Sequence, residues 1–142
     1  MTELFVIAQI AGRGVAVAAT QVDSVVDLGE IVATPRAASF VRGVAALRSR
    51  VVTVIDTGIA LGLSPTPDDC RRAVITIVEG HHYAILVDSV EDVAPFARLP
   101  LSSGLALQGG WAIAGTAIVE RDGEPLLVID LAAVVPTTSL AA

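Results

Sequence analysis

The chain repeats its own pattern. Val22-Asp23-Ser24-Val25-Val26-Asp27 returns as Val87-Asp88-Ser89-Val90-Glu91-Asp92, and the strand end Val54-Ile55-Asp56 with a short apolar stretch after it returns as Val128-Ile129-Asp130. Because the matching segments come in the same order in both halves, the layout that follows is two homologous β units of about 60 to 70 residues each. Residues 43–56 hold the most local information. Two aliphatic runs, 44–47 and 51–55, flank Arg48, Ser49 and Arg50, which is the spacing of a tight hairpin. At the end of the second run, Asp56 is placed to accept the free N–H groups of a first helical turn. Gly62 is placed to end that turn in a left-handed conformation. Asp130 precedes a second short apolar helix, closed by Pro136.

What fills such units follows from the side chains available. Apolar residues make up 54% of the chain and aromatics only 4%, so the core is aliphatic, and its β-branched residues favour strands. Nine arginines, with no lysine, face fifteen acids for a net charge of −6, which argues against nucleic acid or an anionic membrane surface as partner. A single cysteine, Cys70, rules out an internal disulfide. No apolar run reaches the ~18 to 20 residues of a membrane helix, and the first residues lack a basic, signal-like start. The expectation is a cytoplasmic protein with no direct membrane insertion.

In chain order, strands are expected over 4–10 and 15–19 across the glycine-rich turn 11–14, then at 22–26, over the hairpin 44–55, at 73–78 and 83–87, after Asp88, and over 111–119 and 125–130. Each half offers about five short strands, the size of a small barrel. Residues 64–70, with Pro65, Pro67, Asp68 and Asp69, read as a linker. The expected organisation is therefore one domain over 1–142, with a first barrel at 1–63, a second at 71–136, and possible strand exchange between them. Residues 95–110 read as an inserted loop and 137–142 as a frayed tail.

Residues 40–56, Phe-Val-Arg-Gly-Val-Ala-Ala-Leu-Arg-Ser-Arg-Val-Val-Thr-Val-Ile-Asp, resemble the pattern of CheW-like domains, Phe-x-x-Gly-Val-x-Asn-Leu-Arg-Gly-x-x-Val-Pro-Val-Ile-Asp-Leu. The strands at 22–27, 86–90 and 127–131 and the loop at Thr34-Pro35 resemble further blocks of that family, so the likeness spans roughly residues 4–135. The resemblance implies a mainly β fold of two intertwined five-stranded SH3-like barrels with short helices. It also implies a non-catalytic adaptor that couples the cytoplasmic tip of a methyl-accepting chemoreceptor to the regulatory domain of a CheA-type histidine kinase. The sequence departs from the pattern at Ala46, Ser49, Thr53 and Thr57, and Ser24 stands where many relatives carry an acid. A turn needing positive φ is strained without glycine, so the Arg48 hairpin is expected to differ in shape.

The candidate partner-binding residues are Arg48 and Ser49 at the hairpin tip, Gly43, Ser24, and Val22, Val25, Leu28 and Val41 as an apolar groove face for a receptor helix. The competing readings are an arginine bonding its own fold's carbonyls, a glycine needed by the backbone, and simple burial of the aliphatics. Asp56 and Asp130 read as helix caps, not as a catalytic pair. Adjacent His81 and His82 would point to opposite faces of a strand, and Cys70 is the only thiol to help, so no metal site and no cofactor is expected. Trp111 reads as a core or inter-barrel aromatic. No acid, base and nucleophile set converges, so no catalytic residue is assigned. The alternative function is a divergent small-ligand-binding or regulatory β-barrel outside receptor arrays.

Overall fold

A computed structural model describes residues 2–101, 107 and 109–135; the ending assigned to Pro136 and the tail after it lie outside the described residues. Eleven strands and three one-turn helices follow in the order β1 (Glu3–Ile10), β2 (Arg13–Ala18), β3 (Ser24–Asp27), β4 (Ile31–Val32), β5 (Val41–Leu47), β6 (Arg50–Ile55), α1 (Thr57–Ala60), β7 (Arg72–Val78), β8 (His81–Leu86), β9 (Ser89–Phe96), α2 (Gly110–Ala114), β10 (Gly115–Arg121), β11 (Glu124–Ile129) and α3 (Leu131–Val134). They form two sheets. One, ordered β3-β7-β8-β6-β5-β4, is here termed the central sheet; the other, β10-β11-β2-β1-β9, uses both ends of the chain and is termed the terminal sheet.

The two orders are the same motif. In each, a hairpin (β5–β6 or β10–β11) joins a second hairpin (β7–β8 or β1–β2) through one parallel pair, β6 with β8 and β11 with β2. The second hairpin then carries the repeated Val-Asp-Ser-Val strand, β3 or β9, on its far side. Each sheet also turns back on itself. The edges of the central sheet, β3 and β4, are separated in sequence only by residues 28–30, and Leu28 between them is buried inside. In the terminal sheet, Leu99 beyond β9 pairs with Ile118 of β10 through hydrogen bonds of 2.8 and 2.9 Å.

Strands are exchanged between the expected halves 1–63 and 71–136. All six strands of the central sheet lie between Ser24 and Leu86, while the terminal sheet takes β1 and β2 from the start of the chain and β9 to β11 from its end. The irregular stretch at 64–70 falls inside the central unit, between α1 and β7.

Three cores result, and they explain why so many strands are apolar without alternation. Phe5, Ile7 and Val128 fill the interior of the terminal sheet, and Val52, Val54, Ile75 and Leu86 that of the central one. Their strand neighbours Ile10, Ile55, Ile85 and Ile129 meet in a third cluster between the sheets, with Leu131, Leu61 and Trp111. Strands covered on both faces need apolar residues at successive positions, as in Phe5–Ala8 and Tyr83–Leu86.

Residues 111–114, read from sequence as the start of a strand, instead belong to α2 (Gly110–Ala114). Gly110 sits so close to the backbone of Leu61 that no Cβ fits there, and the turn of helix places Trp111 in the seam between the sheets. The β5–β6 turn contains only Arg48 and Ser49, since Leu47 pairs with Arg50. The left-handed residue is Arg48 (φ +59°); the other three two-residue hairpins put Ala11, Glu79 and Asp122 there and follow each with glycine.

Candidate functional site

At one end of the central sheet, the side chains that point inward run out of partners and leave a depression of about 690 Å³. Its apolar base is formed by Val26 and Leu47, which pack on the central core, and by Ile77, which is 48% exposed. Arg48, Arg50, Ser24 and His82 stand around it. The Arg50 guanidinium lies 3.2 Å from His82 Nδ1, within reach of a hydrogen bond to that nitrogen. The fold therefore brings Arg48, Ser49 and Ser24 together, although β3 and the β5–β6 turn lie in different parts of the sheet.

The aliphatic candidates divide. Val22, Val25 and Val41 are half-buried and lean on the core between the sheets, beside Phe40. Leu28 is 6% exposed and belongs to the interior of the central sheet, the simple burial weighed against a place on the groove face. Gly43 serves the backbone: it sits at a register shift in the β5–β6 pairing with φ +153°, and a Cβ there would strike the carbonyl of Val32 on β4. The residue is buried against β4, in keeping with the backbone role weighed for it beside partner contact.

The sequence-level reading missed a clasp around Asp56. Its Oδ1 accepts from the Thr66 N–H (2.9 Å), the Thr66 hydroxyl (2.8 Å) and the Ile59 N–H (3.1 Å), and its Oδ2 receives the Arg42 guanidinium at 2.7 Å. Arg42 also donates to the carbonyls of Thr66 and Pro67. One carboxylate thus caps α1 and fastens residues 66–67 to it. Burial pushes the Asp56 pKa up, but the donors from Thr66, Ile59 and Arg42 outweigh it and hold the carboxyl below its ordinary value of 3.8.

Asp130 holds a lighter counterpart. Its Oδ1 accepts from the Ala132 N–H at 3.0 Å and from Gln21 Nε2 at 2.7 Å. Gln21 Oε1 accepts from the Leu131 N–H at 3.0 Å, and its own carbonyl takes the Thr76 hydroxyl at 2.7 Å. Gln21 lies on the single turn of 3₁₀ helix (Ala19–Gln21) that carries the chain from one sheet to the other, and it ties α3 to β7 across the seam. A second depression, of about 540 Å³, opens on the seam. There Arg13 stacks 5.0 Å from the Trp111 ring centroid, and the Gly12 N–H donates to Asp88 Oδ2 at 2.9 Å.

The family model described as CheW-like domain matches residues 4–138. The chain belongs to the CheW-like domain family. Among solved structures, the scaffolding protein CheW from Thermoanaerobacter tengcongensis is similar in fold, with a TM-score of 0.77, 21% identity and coverage of 92% of this chain and 90% of that one. No curated protein matches the chain at a significant level.

For this CheW-like domain, the mainly β fold and the family were legible from the residues at 40–56 and their flanks. What no motif signalled was the pairing of Arg42 with Thr66 and Asp56, because it joins positions 10 to 24 residues apart through a loop without regular structure. His81 and His82 sit at successive positions of β8, and only His82 reaches the depression beside Arg50. No group of three side chains able to hold a metal ion occurs among the described residues. No helix among them is long and apolar enough to cross a membrane.

Proposed function

We propose that this CheW-like domain is a non-catalytic cytoplasmic adaptor in chemotaxis-like signal transduction, joining the cytoplasmic tip of a methyl-accepting chemoreceptor to the regulatory domain of a CheA-type histidine kinase. The observation that carries this reading is the family match along nearly the whole chain, residues 4–138, on a fold whose two sheets present separate surfaces around one seam. In this reading, Val22, Val25 and Val41 offer the receptor helix an aliphatic face beside the seam, and Arg48 with Ser24 and Ser49 supplies polar recognition at the end of the central sheet. The coupling is geometric: a rigid double sheet holds two partners at fixed spacing.

The test is a pull-down with the kinase regulatory domain and receptor cytoplasmic fragments encoded by the same genome. Retention of both supports the adaptor, and retention of neither overturns it. Arg48→Ala is expected to fold and to weaken recruitment; undiminished binding removes Arg48 from the interface. The seam depression of about 540 Å³, with Trp111 and Arg13 in its wall, favours a second reading as a small-ligand-binding or regulatory barrel. Native mass spectrometry separates the two, since a small molecule that co-purifies with the chain supports the second.

A further inference from the structure

The end of the central sheet carries a charge opposite to that of the chain. The protein as a whole has a net charge of −6, yet two arginines, Arg48 and Arg50, face the depression there against a single acid, Asp23. Neither arginine is in an ion pair among the described residues, whereas Arg42, Arg72, Arg98 and Arg121 each have one. The contact that Arg50 makes there is with an imidazole nitrogen, His82 Nδ1 at 3.2 Å, and not with a carboxylate. Directly below lies aliphatic surface, with Ile77 48% exposed and Val26 and Leu47 half-buried.

We propose that this depression is a docking site for an acidic, leucine-bearing peptide segment of a partner protein, with a partner carboxylate held between Arg48 and Arg50 and a partner aliphatic side chain resting on Ile77. Charge complementarity selects that occupant. Guanidinium forks bind carboxylates in charge-assisted pairs, and an apolar floor directly beneath rewards a segment that alternates acidic and aliphatic residues. A basic segment meets two like charges, and a purely apolar one leaves both arginines partly desolvated without acceptors. Ser24 and Ser49 at the rim add hydroxyl donors for the second carboxylate oxygen or the peptide backbone.

The inference rests on the reading of the chain as a partner-binding adaptor, but its test is separate from that reading. Fluorescence anisotropy is measured with the full chain and a fluorescein-labelled peptide of alternating leucine and glutamate, alongside the same peptide with glutamine or lysine replacing glutamate. The glutamate peptide binds, and its affinity falls as salt is raised. Arg48→Ala and Arg50→Ala each weaken it roughly ten-fold, as expected for loss of one charge-assisted bond. Arg121→Ala, on the other sheet, leaves it unchanged, and urea unfolding of each variant verifies that it is folded. Failure of the glutamate peptide to bind, equal binding of the glutamine peptide, or preference for lysine overturns the proposal. If the peptide fails while kinase and receptor fragments are still recruited, the docking site falls and the adaptor stands. If the peptide binds while neither fragment is recruited, the reverse holds.

Discussion

Replacing Asp56 by alanine removes one small side chain and strands four donors. The Thr66 N–H is left buried without its acceptor, at a cost of about 1–3 kcal/mol, and the lost cap on Ile59 adds about 1 kcal/mol. Arg42, whose side chain is 16% exposed, loses its counter-ion. Breaking a buried pair from one side costs about 3–5 kcal/mol, but Arg42 keeps the carbonyls of Thr66 and Pro67, which puts its share at or below the bottom of that range. These contributions overlap because they share one carboxylate, so the total is set at about 4 kcal/mol. The internal control is Asp130→Ala, where the fold places a carboxylate at the matching position with only the Ala132 N–H and the Gln21 amide as partners, for a loss of about 1–2 kcal/mol. Urea unfolding followed by circular dichroism reads both variants as shifts in midpoint at constant slope. If Asp56→Ala costs no more than Asp130→Ala, the clasp does not fasten residues 66–67 to α1.

The same carboxylate sets an acid limb. Its pKa is lower in the folded chain than its ordinary 3.8, so the stability it contributes is fully present above 3.8 and drains away as pH falls through the folded value; Asp56→Asn should flatten that part of the pH profile, and an unchanged limb refutes the assignment. Gly43→Ala should cost more than about 2 kcal/mol, since it combines a φ of +153° with a collision against Val32; a thermal midpoint within error of the parent would show that β4 yields freely. Tyr83 is buried in the seam and its hydroxyl has no hydrogen-bond partner among the described residues, so Tyr83→Phe should be neutral or stabilising by about 1 kcal/mol; a clear loss would mean that the hydroxyl has an acceptor after all. Gln21→Ala should lower stability by about 1–2 kcal/mol through its two bonds to the start of α3, and amide exchange at Leu131 should quicken; unchanged exchange there refutes the latch.

The duplication at 22–27 and 87–92 held more information than its use as evidence for two halves. Those two copies are the starts of the structural units: β3 opens the central sheet, and β9 opens the portion of the terminal sheet contributed by the second half of the chain. The proline-rich stretch at 64–70 drew the boundary elsewhere because composition registers the lack of regular structure but not the bonds from Arg42 and Asp56 that fix Thr66 and Pro67 in place. Strand pairing between the two ends of the chain leaves no local trace either. β1 and β2 read as an apolar hairpin whichever sheet receives them, and the pairings on its two sides decide it: β11 parallel to β2, with Leu127 opposite Val15, and β9 antiparallel to β1, with Val93 opposite Val6.

The same limit applies to the candidate site and explains why its members were legible one by one but not as a set. A hairpin tip advertises itself through its polar residues between aliphatic runs, so Arg48 and Ser49 were readable. Whether a neighbouring aliphatic faces a partner or a core depends on which side of the strand the sheet closes over. Leu28 and Val25 are three residues apart, yet one lies in the central interior and the other against the seam. Arg50 and His82 share the depression because β6 and β8 run parallel, with Thr53 opposite Tyr83, which brings the first residues of both strands to the same end. A motif scan sees an arginine at one turn and a histidine pair at another; the parallel pairing makes them one surface.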